Sequence, residues 1–375
     1  MRMLPCHDKK ILLLFLSLFI FPCIAQAHNK IEIASFFAKT GIAARSNKTT
    51  AQGIVHAVEK INKAGGILGK QILLREFDTR STPIGAAIAA KKALKYPIVA
   101  AFGAPWSSQT LAIAPIFQKK KIPLLATVAT HPSIPLIGEY IFQVCFNDEV
   151  QAQAIATVAH SVLQANNAVI LADLRSDYSM TLATAFKKVF LKKGASTIIE
   201  MTYQQKQKIF LPLLKQVAAE NPDILFIPSH DEISIISKQI NKVALKMPIL
   251  GGDGWTSIQL PTLNEGYYTT HWRFDENDTT QQFYKNYSSL THVDQSFVLA
   301  YDTVMLVANA LHRAQSIDPT QLQIQLQNTH DFMGQAGVIA FDEQGRAKRD
   351  VVIVKIQKGQ YSFFKRVIHT LLEEK

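Results

Sequence analysis

Two places in the chain put hydrogen-bonding or charged side chains where an apolar run stops. In "AFGAPWSSQT" (101–110) the run Pro97–Phe102 ends at Gly103, and Trp106 stands directly before Ser107, Ser108, Gln109 and Thr110. In "LGGDGWTS" (250–257) Asp253 sits among Gly251, Gly252 and Gly254. The first pattern predicts a strand leading into a helix that begins at Ser108 or Gln109, with Ser107 as its cap. An open helix N-terminus attracts carboxylate or phosphate through its free N–H groups and the helix dipole. The second pattern lets backbone approach closely beside a carboxylate, which suits an ammonium partner. Each has a plainer alternative: a routine N-cap with Trp106 as hydrophobic cover, and a turn aspartate bonding its own backbone.

The next strand ends "LLATVATHP", so Thr127, Thr130 and a loop bent by Pro132 reach the same sheet edge. Neighbouring strands lie about 4.8 Å apart, so the two loops are neighbours. "ADLRSDYSM" likewise puts Tyr178 just beyond a strand end. In open α/β sheets ligands sit beyond the carboxyl ends of the strands.

Catalytic signatures are missing from the sequence. It has no G-x-G-x-x-G after a strand, no phosphate loop and no G-x-S-x-G elbow. "HDEIS" (230–234) only superficially resembles a zinc-protease motif, and "DENDTT" (275–280) has Thr280 where a calcium loop needs glycine. The histidines never pair with a second ligand type at metal spacing. The weight moves from catalysis to binding, with no cofactor and no metal expected.

The ends and composition narrow the class. Arg2, Lys9 and Lys10 precede an apolar run from Ile11 to Phe21, and Ala25-Gln26-Ala27 follows. This is the pattern of a cleaved secretory signal over residues 1–27, and the run is too short for a membrane span. Its removal takes the formal net charge from +11 to +9. The remaining positives are scattered, as at Lys91, Lys92, Lys187 and Lys188, and form no aromatic-interleaved stripe. They read as solvated helix faces, and nucleic acid is set aside. Cys145 is the one cysteine left, inside "YIFQVCF", and reads as a buried structural thiol without a disulfide.

The elements that must position these residues alternate. "IEIASFF", "QILLREFD", "PIVAAFGA" and "IPLLAT" read as strands separated by helices, and Thr82-Pro83 opens one of them. After "YIFQVCF" the grammar restarts with strands "NAVILAD", "STIIEMTY", "DILFIPS" and "PILGGD", each preceded by a helix. Two such series imply an α/β protein of two doubly wound parallel-sheet lobes with helices on both faces. The long helix "SFVLAYDTVMLVANALHRA" then leads to an antiparallel terminal segment with a turn at Gln344-Gly345.

Four blocks carry a resemblance. "AVEKINKAGGILGKQILLREFDTRSTP", "GAPWSSQTLAIAPIFQKKKIPLLATVATHP", "AYDTVMLVANAL" and "FMGQAGVIAFDEQGRA" stand in order across most of residues 31–356. Together they resemble the type I periplasmic binding proteins of the leucine/isoleucine/valine-binding family. The resemblance implies two lobes joined by three hinge crossovers that close on a small ligand. It places the first lobe at 28–147 and 275–330, and the second at 148–274 and 331–375. It further implies a periplasmic receptor, monomeric, that hands an amino-acid-like ligand to an ABC importer without catalysis.

On this pattern Ser107 and the amides around Ser108 would hold the ligand carboxylate. The Val128 carbonyl and Thr130 would take the ammonium, and Trp106 would wall the side-chain pocket. Tyr178 would fold over the ligand and Asp253 would pair with the ammonium. His230 falls where relatives often carry an aromatic. Ser46 replaces an aromatic common in the family, Asp253 is one methylene shorter than the usual glutamate, and the substrate need not be leucine. A second reading keeps the fold but makes the chain a sensing or regulatory module contacting a partner protein; a third is a hydrolase assembled from distant segments.

Overall fold

The structure is a computed structural model and describes residues 30–369 except 244 and 257. The expected signal segment, 1–27, lies outside the described residues. The first lobe begins β1 (Lys30–Phe37), α1 (Ala44–Lys63), β2 (Gln71–Asp78), α2 (Pro83–Ala93), β3 (Ile98–Gly103), α3 (Ser107–Lys120), β4 (Leu124–Ala126) and β5 (Ile141–Gln143). Its parallel sheet runs in the order β2-β1-β3-β4-β5. All six residues of β3 are buried, because helices cover both faces of the sheet. Thr82 caps α2 by accepting from the Gly85 N–H, with Pro83 at the first helical position, as its sequence predicts.

The second lobe opens with α4 (Asp148–Thr157), β6 (Asn167–Asp173), α5 (Asp177–Lys192), β7 (Thr197–Tyr203), α6 (Leu211–Ala219), β8 (Ile224–Phe226), α7 (Glu232–Ile240) and β9 (Ile249–Gly251). A strand the sequence did not signal follows, β10 (Glu265–Thr270). The chain returns to the first lobe with α8 (Asp278–Ser288), α9 (Gln295–Ala314), α10 (Pro319–Gln327) and the hairpin β11 (Phe332–Gly334) and β12 (Gly337–Ile339). It ends in the second lobe with β13 (Val351–Gln357) and β14 (Gln360–Val367).

The second sheet has the order β14-β13-β10-β9-β8-β6-β7. Strands β7 to β10 are parallel through β6, β8 and β9, whereas β10 pairs antiparallel with β13 and β13 with β14. The turn at Gly345 is present, with its N–H bonded to the Asp342 carbonyl. A second, sharper turn at Lys358 and Gly359, both at positive φ, joins β13 to β14.

One expected boundary needs correction. Residues 331–347 do not join the second lobe: Phe332, Ala336, Ile339, Phe341 and Ala347 pack with Phe142, Val304 and Leu326 in the first-lobe core. The reason lies on α9, where the buried Asp302 carboxylate accepts from the Gln335 and Ala336 N–H groups at 2.8 and 2.9 Å. The Ala347 N–H also donates to the Gln143 carbonyl beside β5. The last passage between lobes therefore falls between Ala347 and Val351, the latter a member of the second-lobe core.

Within the first lobe α1 and α9 touch backbone to backbone. A Cβ on Gly53 would stand 2.2 Å from the Phe297 carbonyl oxygen, so only glycine permits this crossing.

Candidate functional site

The first-lobe wall of the cleft is built by the turn after β3 and the loop after β4, which adjoin because Gly103 pairs with Ala126. Helix α3 begins at Ser107, one residue earlier than the sequence suggests, and Trp106 takes the N-cap position in extended backbone without a side-chain cap. Ser107 is thus not the cap. Its Oγ, nearly buried at 4 % exposure, accepts from the His131 N–H at 3.3 Å and ties the two loops together. The Trp106 carbonyl accepts from both Gln109 and Thr110 N–H, at 3.0 and 3.1 Å. That leaves the Ser107 and Ser108 N–H groups as the open donors of the first turn.

The second-lobe wall carries charge and rings. Asp253 begins a short turn after β9 and is 5 % exposed. Its N–H donates to Gln151 Oε1 at 3.2 Å, and its carbonyl accepts from Gln295 Nε2 of the first lobe at 2.9 Å. Its Oδ1 is buried with no hydrogen-bond partner. Burial pushes this carboxyl up to about 6, against Tyr178, Gln151 and Gln295, which favour its charged form. Tyr178 Oη accepts from the Gly254 N–H at 3.1 Å. No side chain fits at Gly254, since a Cβ there would come within 2.6 Å of the Ser229 carbonyl oxygen and 2.8 Å of His230 Nδ1.

Three rings cross from one wall to the other. Trp106 stacks on His230 with centroids 5.4 Å apart and planes 7° from parallel, and His230 stacks on Tyr178 at 4.5 Å. Desolvation lowers the His230 imidazole to about 4, so it is neutral at physiological pH.

Trp106, Ser107, Val128 and Thr130 from one lobe, and Tyr178, His230 and Asp253 from the other, line this one cleft. Its cavity volume is ≈ 60 Å³, and it is partly open to solvent. Ser108 does not join them; its side chain borders the adjacent groove with Arg175 and Asp177, and only its N–H belongs to the helix mouth. The Thr130 carbonyl is already engaged by the Asp148 N–H at 2.9 Å.

A model of the periplasmic binding protein family matches residues 30–360. The chain belongs to that family. Its relatives include the Leu/Ile/Val-binding protein BraC3 of Rhizobium johnstonii, 25% identical over 62% of this chain, a match that spans 64% of that protein's length. The leucine-, isoleucine-, valine-, threonine- and alanine-binding protein of Pseudomonas aeruginosa is 24% identical over 88% of this chain and 90% of its own. Among solved structures, a leucine-binding protein LivK of Thermotoga maritima superposes with a TM-score of 0.83 at 28% identity, covering 90% of this chain and 99% of the other. These are binding proteins by name. The chain is accordingly a periplasmic binding protein, similar in sequence and fold to proteins named for branched-chain amino acids.

Sequence reasoning did not reach several neighbours of the site in this binding protein. Gln295, at the first turn of α9, joins the lobes: besides holding the Asp253 carbonyl, its Oε1 accepts from Thr270 Oγ1 and the His271 N–H, both at 2.8 Å. Gln151 donates to Asp148 Oδ1 at 2.8 Å and accepts from Thr269 Oγ1 at 2.8 Å. Burial pushes Asp148 up to about 8. His271 lies under Phe146 and 4.0 Å from Asp253 Oδ2, and its desolvated imidazole is held far below the usual range. The only sequence signal was indirect: polar residues at the ends of apolar runs, on elements not recognised as entering the cleft.

Proposed function

We propose that this protein is a periplasmic receptor, exported through a cleaved signal, that captures a small amino-acid-like ligand between its lobes and delivers it to an ABC importer. One juxtaposition carries the reading. Asp253, a buried carboxylate whose Oδ1 has no partner, lines the same small cleft as the open N-terminus of α3. A zwitterion satisfies both ends. Its carboxylate meets the Ser107 hydroxyl and the Ser107 and Ser108 amides, where the helix dipole favours negative charge. Its ammonium meets Asp253, with Val128 and Thr130 beside it and Tyr178 closing over it. The printed specificities of the Rhizobium and Pseudomonas relatives support an amino acid.

The test is a thermal-shift screen of residues 28–375, refolded from denaturant, against amino acids, short amides and small carboxylates. Ligand at 100 times its Kd stabilises the folded state by about 2.7 kcal/mol, a shift of several degrees at most for a chain of this size. A response confined to α-amino acids is expected. A flat panel sinks the receptor reading and favours a module that contacts a partner protein.

A further inference from the structure

Resting on that reading, we infer that Trp106 and His230 together form a size-limiting end wall that restricts the ligand to the smallest amino acids, of the class of glycine, alanine and serine. The cleft volume of ≈ 60 Å³ corresponds to roughly four to six water-sized positions. A ligand the size of glycine or alanine suits that space, whereas a branched four-carbon side chain requires the cleft to widen.

The wall is made of a pair, one ring from each lobe. The Trp106 indole reaches from the start of α3 and lies flat on His230. His230 is backed in turn by Tyr178, which is itself buried and bonded to the Gly254 N–H. Trp106, Tyr178 and His230 also line an adjacent groove of ≈ 400 Å³, and the Tyr178 hydroxyl end is pinned by the Gly254 N–H. A Cβ at Gly252 would stand 2.3 Å from Tyr178 Oη, so backbone closes on the hydroxyl end of that ring. A ligand side chain larger than a methyl or hydroxymethyl group must therefore displace Trp106 from the stack or hold the lobes apart. The rest of the lining is mixed, with Ser46, Asn47, Thr256 and Ser296 beside Pro105 and Ile258, and its polar members can bond a hydroxyl. The widening that Ser46 gives in place of an aromatic is thus taken back by Trp106.

The experiment is calorimetric titration of the refolded protein with glycine, alanine, serine, valine and leucine, in wild type, Trp106→Ala and His230→Ala. Wild type is expected to bind alanine or serine at least tenfold more tightly than leucine. Each substitution should shrink the preference for alanine over leucine at least tenfold. Melting curves confirm folding, and Trp106→Leu replaces Trp106→Ala if the latter does not fold. Wild type binding leucine as tightly as alanine overturns the end wall and leaves the receptor reading standing. Equal weakening of every ligand by Trp106→Ala also overturns it, since Trp106 would then be a general contact. Binding of no α-amino acid overturns both.

Discussion

The two walls of the cleft do different physical work. The first-lobe wall is neutral: a helix mouth, the Ser107 hydroxyl and the loop at Val128 and Thr130. Every fixed dipole there is set by backbone that the sheet holds in place. The second-lobe wall is ionisable and aromatic, with Asp253, Tyr178 and His230. A neutral, preorganised wall binds a carboxylate with little reorganisation and little dependence on pH. A buried carboxylate is costly until an ammonium meets it. On the proposed reading, the first lobe would orient the ligand and the second would supply the free energy that closes the clamp.

The largest test of that division is Asp253→Ala, expected to weaken an aminated ligand by about 2–5 kcal/mol, because a desolvated ammonium is left unpaired. Unchanged affinity by calorimetry would reduce Asp253 to a turn residue. Gln295→Ala should come next. It orphans the Asp253 carbonyl and the His271 N–H, at about 1–3 kcal/mol in stability, and it lowers affinity by removing a contact between lobes. A melting curve and a titration together separate the two effects.

Proton linkage distinguishes the walls directly. With the Asp253 carboxyl near 6, ammonium binding below that pH must displace a proton, so Kd should rise about tenfold per unit from pH 6 to 5 and flatten above about 7. The sign for stability is opposite. A pKa raised by folding contributes stability that is present below the ordinary carboxylate value and lost as pH rises to about 6, so this group makes the protein without ligand less stable over that interval. A Kd independent of pH would place the ammonium elsewhere. The smallest effect is expected from the neutral wall. Ser107→Ala should cost about 0.5–1.5 kcal/mol of affinity and leave the pH profile unmoved.

The alternation of apolar runs and helical stretches made both lobes legible, because parallel strands buried on two faces, such as β3, are nearly all apolar. β10 escaped because "EGYYTT" shows neither strict alternation nor a long apolar run. Its place is decided by partners far away in sequence, β9 and β13. Residues 331–347 were misassigned for a related reason. The carboxylate that fixes them, Asp302, lies mid-helix on α9, where sequence gives no hint of a distant N–H pair. At the cleft, residues at strand ends were readable from position alone. Gln151, Gln295 and His271 were not, since nothing local marks a buried polar side chain as part of a network behind the cleft or, for Gln295, as a bridge between lobes.

The threading of the chain also has a consequence for the order of synthesis. The second sheet reserves a slot beside β10 that only β13 fills, and β13 is flanked by the final strand, β14. Each lobe therefore waits for chain made late: the first for Phe341 and Ala347, the second for residues 351–367. A nascent chain emerging from the amino end holds neither lobe complete until almost all of it is available. Such long-range pairing slows folding and keeps the growing polypeptide open for longer.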